Sequence, residues 1–420
     1  MGRVAGVNEI ESRYAWLRLW VSFALMTIGG SGMYSVSVVL TRIQADFAAD
    51  RGAASLPYTL TMIGFGVGGV MMGKLADRFG VFVPVMIGGL GLGVGFVTAG
   101  LAPNLLAFDI AQGVLIGLLG TSATFAPLVA DTSKWFDRRR GIALAICMSG
   151  NYAAGAVWPP VMQFFIESAG WRSTYVGIGI FCTLSMLPLA LVLRRKPPVQ
   201  AVEADTASFV TPSGEVRPMG LNPTLVQGLL CVAAVACCVA MSMPQVHIVA
   251  YCSDLGFGAA QGAQMLSLML GLGVVSRLVS GWISDRIGGL RTLLLGSVLQ
   301  GIALLLFLPY TGLVSLYVVA GLFGLFQGGI VPAYALIVRQ HFSPAEAGSR
   351  VGTVLMASLF GMALGGWMSG AVFDWTGSYR AAFINGIAWN LLNVGVVSFL
   401  LWHSARSRRA VPSAYTSARA

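Results

Sequence analysis

The chain has 420 residues, of which 56% are hydrophobic and only 10% are charged. A soluble domain of ordinary composition carries about 25% charged residues, so the composition excludes a soluble globular protein. The net charge of +10 does not indicate nucleic-acid binding, because the cations follow the alternation of apolar segments along the chain.

Apolar stretches of about 20 residues recur along the whole sequence, which is the length needed to cross a hydrocarbon core about 30 Å thick. We therefore predict an all-α membrane protein that spans the bilayer twelve times. The twelve segments, numbered 1 to 12, are 16–40, 55–75, 81–102, 105–131, 141–166, 172–193, 222–251, 259–283, 290–310, 313–339, 349–373 and 379–402.

The basic residues predict the orientation in the membrane. If the N-terminus is cytoplasmic, 21 of the 26 Lys and Arg lie in the termini and the even-numbered connections. Only Arg42, Arg51, Arg172 and Arg380 lie on the other side, and Arg277 lies within segment 8. This positive-inside asymmetry predicts that both termini are cytoplasmic. The short loops favour a bacterial inner membrane.

The sequence also predicts two copies of a six-helix unit. The motif Gly-x-x-x-Asp-Arg-x-Gly at 73–80 recurs at 281–288, and the pattern at 171–175 recurs at 379–383. Duplicated halves of this kind place a shared cavity near the bilayer midplane. We expect an N-terminal bundle over 1–193, a cytoplasmic linker over 194–221, a C-terminal bundle over 222–405 and a cytoplasmic tail over 406–420.

The doubled motif resembles the signature of the major facilitator superfamily, and the resemblance covers residues 14–405. It implies two pseudo-symmetric six-helix bundles that work by alternating access. It also implies that the motif residues latch the cytoplasmic side while the transporter faces outward, with Asp131 as an expected partner of Arg78. The gating residues implied in this way are Gly73, Asp77, Arg78, Asp131, Gly281, Asp285 and Arg286.

A narrower pattern surrounds segment 5. Trp135-Phe136, then Arg139-Arg140-Gly141 and a helix of small residues, is similar to the monocarboxylate porter and oxalate:formate antiporter branch of that superfamily. Members of this branch place in helix 8 an arginine that takes the substrate carboxylate. Arg277 stands at that position, eight residues before Asp285.

Arg277 is unusual on physical grounds alone. A cation in a membrane-spanning helix costs about 3 kcal/mol on insertion scales, so it needs a partner. Its planar fork of donors matches a carboxylate and keeps its charge at every physiological pH. The alternatives are that Arg277 reaches the cytoplasmic interface or pairs within the protein. No acid lies in the middle of any predicted segment, which favours a substrate anion.

Five further residues are candidates for the substrate site: Tyr34 in segment 1, Asn151 and Tyr152 in segment 5, and Gln327 and Tyr334 in segment 10. Helix–helix packing explains each of them equally well. Asn151 and Gln327 rank higher, because a carboxamide in a transmembrane helix needs a partner.

Two departures from the resembled families limit the prediction. Oxalate-type porters hold a second carboxylate with a lysine in helix 11, whereas residues 351–367 contain no cation, which disfavours a dicarboxylate. Animal monocarboxylate carriers have an aspartate four residues before the helix 8 arginine, and here that position is Gly273. Their proton-coupling scheme therefore does not transfer to this chain.

Two residues are candidates for a proton site. Asp109 lies about one turn into segment 4, and His247 lies in the outer part of segment 7. The competing interpretations are charge complementation at a helix N-terminus for Asp109 and an interfacial position for His247. A proton carried on the substrate carboxylate is a third possibility and needs no dedicated residue.

The predicted function is secondary active transport of a small organic monocarboxylate, such as a lactate- or pyruvate-like acid, together with a proton. We expect a monomer in the lipid bilayer with no cofactor, no metal and no nucleic-acid partner. The alternatives are an anion exchanger of the oxalate:formate type, a carrier of an aromatic or larger carboxylate, or a non-transporting membrane sensor. Three scattered histidines do not provide the clustered groups of an intramembrane enzyme.

Overall fold

The computed structural model describes residues 10–197, 221–309 and 312–410. Twelve helices in these ranges are long and apolar enough to cross a membrane, so all twelve predicted segments are confirmed. They are α1 (Arg13–Asp46), α2 (Arg51–Phe79), α3 (Phe82–Gly100), α4 (Leu105–Thr132), α5 (Arg140–Ala169), α6 (Trp171–Val192), α7 (Pro223–Asp254), α8 (Ala259–Ile287), α9 (Gly289–Leu306), α10 (Leu313–His341), α11 (Pro344–Thr376) and α12 (Tyr379–Ala410). Most of the predicted linker and the last ten residues of the predicted tail lie outside the described residues.

The helices form two six-helix bundles with matching internal contacts. In the first bundle α3 packs on α6, α1 on α5 and α2 on α4. In the second bundle the equivalent pairs are α9 with α12, α7 with α11 and α8 with α10. This correspondence is the pseudo-symmetry that the duplicated motifs predict.

The two bundles meet along α2–α11 and α5–α8, and the second half of α1 contacts α7. We call the membrane face where α1 begins and α12 ends the terminal face, and the other the distal face. Small residues allow close approach at the distal ends of α2 and α11. A Cβ built on Gly370 would lie 2.8 Å from the Arg51 carbonyl oxygen. The distal part of the interface is therefore tightly closed.

The motif residues at the terminal ends of α2 and α8 make few close contacts. A Cβ built on Gly73 of α2 or on Gly281 of α8 would meet no atom within 4 Å. The motif charges Asp77, Arg78 and Asp285 are exposed. No ion pair joins them among the residues that the structure describes. In the described residues the motif therefore does not join the two bundles at the terminal face in this conformation.

Two membrane-spanning helices are irregular at equivalent places in the bundles. In α4 a π-helical stretch, Ala111–Gly120, passes into a short 3₁₀ turn, Thr121–Thr124. In α10 the first helix ends at Gln327, and the second begins at Ile330 after two glycines. Interrupted helices inside a bundle are typical of transporter binding regions, because they bring free backbone groups to membrane depth.

In this conformation Asp131 pairs with Arg18 rather than with Arg78. Its carboxylate accepts two hydrogen bonds from Arg18 of α1, from Nε at 2.8 Å and from Nη2 at 2.9 Å. The side chains are only 2% and 6% exposed, and the guanidinium also donates to the Leu193 carbonyl. Asp131 therefore ties α4 to α1 and α6 within the first bundle.

Removing one partner from this buried pair should destabilise the protein strongly. Asp131→Ala would leave the Arg18 charge buried without its carboxylate, at a cost of about 3–5 kcal/mol. Asp77→Ala removes an exposed acid and should change stability by less than about 0.5 kcal/mol. Thermal unfolding in detergent measures both variants, and equal loss of stability in the two would contradict the structural role of Asp131.

Candidate functional site

Arg277 lies on α8 at the contact with α5. Its Nη1 donates to the Met148 carbonyl oxygen at 3.2 Å, and the guanidinium stacks over the Tyr152 ring at 4.4 Å from the centroid. Its Nε is buried and has no hydrogen-bond partner in the described residues. In those residues no carboxylate lies within 4.0 Å of it. The position is about 15 Å of helix rise from the terminal end of α8.

The groups that contact Arg277 in the described structure carry partial negative charges and no full negative charge. A carbonyl oxygen and the face of an aromatic ring attract a guanidinium without carrying a full charge. In a partly dehydrated site an anion would be attracted several times more strongly than in water. The arrangement therefore leaves a positive charge with unused donor capacity between the two bundles.

Two tyrosines from the first bundle lie near this charge, and a third lies near one of them. Tyr34 of α1 and Tyr152 of α5 are 7% and 6% exposed, and the Arg277 charge acts on both hydroxyls. Tyr58 of α2 is close enough to interact electrostatically with Tyr34. Sequence reasoning missed Tyr58, because no motif marks it and only the packing of α2 against α11 brings it inward.

The glycine that replaces the aspartate of the animal carriers has a visible packing role. A Cβ built on Gly273 would lie 2.5 Å from Cε1 of Tyr152. The Tyr152 ring thus occupies the space that a side chain at position 273 would need. One turn further along α8, Arg277 stacks on the same ring, so Gly273 allows Tyr152 to reach Arg277.

The remaining predicted substrate residues face other neighbours. The Oδ1 of Asn151 lies 3.7 Å from a Cβ built on Gly30, which places this side chain beside α1. Gln327 accepts a hydrogen bond from Gln245 of α7 at 3.1 Å, and its own Nε2 is buried without a partner in the described chain. The structure therefore directs both carboxamides toward neighbouring helices.

Tyr334 lies inside the second bundle. Its hydroxyl donates to Oδ1 of Asn393 at 3.1 Å, and Asn393 in turn donates to Ser297 at 2.8 Å. This network joins α10, α12 and α9. Among the predicted substrate residues, the structure brings together Arg277, Tyr152 and Tyr34, and within the described residues no hydrogen bond or ring contact joins Tyr334 to them.

The two candidates for a proton site differ in their environment. Asp109 is 5% exposed, and its Oδ1 has no partner among the described residues. Asn104, rather than Asp109, caps the start of α4 by accepting from the Ala107 amide at 2.9 Å. His247 is fully buried, so the interpretation of it as an interfacial residue is wrong.

Comparison with known proteins supports the fold and the class. The sequence model described as the Major Facilitator Superfamily matches residues 20–321 and 274–416. The chain is 27% identical over 354 residues to monocarboxylate transporter 13 of Rattus norvegicus, covering 82% of this chain and 78% of that protein. It is 26% identical over 375 residues to the uncharacterized MFS-type transporter YcxA of Bacillus subtilis (strain 168), covering 87% and 90%.

Solved structures show the same architecture at low identity. A peptide transporter, POT, in complex with sulfate has a TM-score of 0.72 at 14% identity, covering 93% of this chain and 95% of that one. An inward-facing bacterial homolog of the human lysosomal transporter Spinster has a TM-score of 0.67 at 16% identity, covering 94% and 96%. The predicted class, two bundles of six transmembrane helices, is confirmed.

A methyl group at position 273 should disturb the contact between Tyr152 and Arg277. Gly273→Ala places a Cβ against the Tyr152 ring, and overpacking of this kind costs about 1–3 kcal/mol. Gly395→Ala is the matched control on α12, because a Cβ there meets no atom within 4 Å. Thermal unfolding in detergent should show a loss of stability for Gly273→Ala and none for Gly395→Ala; unchanged stability of both would contradict the packing.

Proposed function

The chain belongs to the Major Facilitator Superfamily, and we propose that it is a secondary active transporter of a small organic monocarboxylate, lactate- or pyruvate-like, that works by alternating access. The observation that carries the proposal is Arg277, a guanidinium in a membrane-spanning helix with only neutral partners among the described residues. A carboxylate from the substrate would supply the missing negative charge.

The charge balance favours one carboxylate rather than two. Residues 351–367 on α11 contain no Lys or Arg, so a second carboxylate would find no cation on the helix where oxalate-type porters provide one. The tyrosines around Arg277 would contribute hydroxyl donors and apolar ring surface for a short organic chain. Relatives that carry the name monocarboxylate transporter, at 24–28% identity, support the same class of substrate.

The orientation follows from the positive-inside rule. We propose that the terminal face is cytoplasmic, that the membrane is a bacterial inner membrane and that the protein works as a monomer. The motif residues that do not join the bundles in this conformation would then lie on the cytoplasmic side. In this conformation the substrate would reach Arg277 from the cytoplasmic side, and closure there by the motif residues around Asp77 and Asp285 would precede opening of the distal face.

A proton accompanies the substrate in this proposal. Gly273 offers no acid beside Arg277, and the arginine itself keeps its proton. Asp109 and His247 are the candidates for a protein proton site, and the substrate carboxylate is a third carrier of the proton.

Uptake of radiolabelled lactate into proteoliposomes tests the proposal. An inward proton gradient should stimulate uptake by the wild type, and Arg277→Ala should lower it by about thirtyfold or more, because losing one partner of a desolvated charge pair costs at least about 2 kcal/mol. Arg277→Lys should be intermediate, since lysine keeps the charge but loses the planar fork. Arg339→Ala, which removes an exposed charge from α10, should transport normally.

The possible failures have different meanings. Lactate uptake that survives in a folded Arg277→Ala variant would exclude the arginine from the binding site. Uptake of pyruvate or larger monocarboxylates in place of lactate would change the identity of the substrate but keep its chemical class. Uptake of a dicarboxylate with equal rate would contradict the single-cation argument.

A further inference from the structure

The bundles are joined at the distal face by a cluster centred on Arg51, the first residue of α2. Its side chain is 7% exposed. Nη1 donates to the Tyr379 hydroxyl at 2.8 Å, and Nη2 donates to Asp254 at 3.2 Å. The guanidinium also lies 4.7 Å from the centroid of the Phe373 ring. One residue of the first bundle thus contacts α7, α11 and α12 of the second.

A second contact crosses the same boundary. The carboxylate of Asp374, on α11, accepts hydrogen bonds from the backbone amides of Arg51 at 2.9 Å and Gly52 at 2.7 Å. These amides are the first two of α2, where no residue of the same helix can accept from them. An acid from the second bundle therefore caps a helix of the first, and separating the bundles would break both hydrogen bonds.

His247 extends this cluster toward the membrane interior. Its Nε2 lies 2.8 Å from the Gly366 carbonyl oxygen, and its Nδ1 lies 3.2 Å from the Tyr379 hydroxyl. A carbonyl oxygen only accepts, so Nε2 carries the hydrogen and Nδ1 of the neutral ring is an acceptor. The hydrogen bonds then run from Arg51 to Tyr379 and from Tyr379 to His247.

We infer that Arg51, Asp254, Asp374, Tyr379 and His247 form a proton-sensitive latch: the distal face stays closed while His247 is neutral, and protonation of His247 at Nδ1 releases it. We call these five residues the distal latch. The inference rests on the alternating-access part of the proposed function, and it selects His247 over Asp109 as the protein proton site.

The hydrogen-bond directions explain the release. A protonated Nδ1 becomes a donor, so the Tyr379 O–H loses its acceptor within the latch. Two cationic donors, from Arg51 and His247, then point at the single Tyr379 oxygen, and the two positive charges repel each other. The contact between Arg51 and Tyr379, which holds α2 against α12, is the one that weakens.

The charged and titratable groups around His247 come from all four helices of the latch. Burial opposes an added positive charge on His247 most strongly, Arg51 opposes it as well, and the Gly366 carbonyl and Asp374 favour it. Asp374 is already hydrogen-bonded to the α2 amides, and Asp254 is paired with Arg51 at 3.2 Å. An acid that moved to pair with the imidazolium would therefore lose its contact across the bundles. The facing groups are Arg51 and Tyr58 on α2, Tyr251 and Asp254 on α7, Asp374 on α11 and Tyr379 on α12.

Distances between two spin labels on the distal face test the latch without any substrate. Labels at Ala45→Cys on α1 and Arg380→Cys on α12, both exposed positions, would be introduced after replacement of the six native cysteines. Pulsed electron paramagnetic resonance in nanodiscs should give one short distance at about pH 7.5. A longer distance should grow toward about pH 5, by up to about tenfold in population ratio per pH unit, the limit for one linked proton.

Three variants distinguish this latch from other causes of pH dependence. His247→Gln keeps a donor for Gly366 and an acceptor for Tyr379 but cannot take a proton, so the short distance should persist at both pH values. Tyr379→Phe removes the shared hydroxyl and should give the long distance at both. Asp109→Asn should respond to pH as the wild type does.

Specific results would overturn the inference. One is a wild type whose distances between the labels do not change with pH. The others are a His247→Gln variant whose distances still change with pH, a Tyr379→Phe variant that behaves like the wild type, and an Asp109→Asn variant that has lost the pH response. If His247→Gln does not fold, the distances between the labels in Tyr379→Phe test the latch instead. Since no substrate is present, the result is independent of whether lactate is transported, and failure of lactate uptake would leave it standing.

Discussion

The positive charge of Arg277 is the constraint around which the centre of the molecule is organised. A guanidinium does not lose its proton at membrane depth, so the protein must surround it with groups that tolerate it. The described structure offers a backbone carbonyl of α5 and the face of Tyr152. Both come from the first bundle, whereas Arg277 belongs to the second. The charge therefore contributes to holding the bundles together while its capacity to bind an anion remains unused.

Arg51 differs from Arg277 in the groups that surround it. It also lies between the bundles, yet it is paired with Asp254, hydrogen-bonded to Tyr379 and covered by aromatic rings. The Asp254 side chain is 35% exposed, and an ion pair that is partly open to solvent adds little net stability. Such a pair suits a contact that must be either made or broken. An arginine with neutral partners suits a site that is completed by a ligand.

The sequence predicted the features that depend on composition and spacing. Twelve apolar segments, the duplicated motifs and the exceptional cation at 277 follow from residue types read along one helix at a time. The pairing of Arg18 with Asp131 could not be predicted in this way, because the residues lie 113 positions apart and several cations compete for one acid. Tyr58 and the distal latch were missed for a related reason: their contacts join helices from different bundles, and the sequence does not specify how the bundles are rotated relative to each other.

The central site and the distal latch are physically contiguous. Tyr58 interacts with Tyr34 near Arg277, and a Cβ built on Gly366 would lie 2.7 Å from Cδ1 of Tyr58. The carbonyl of the same Gly366 accepts from His247. Contiguity alone does not establish coupling between sites. At Gly366 the α11 backbone lies close to the Tyr58 ring, so a ligand that displaces Tyr58 would act beside the carbonyl that orients His247. With no acid at position 273, this backbone contact is a route by which occupancy at Arg277 would affect a titrating group.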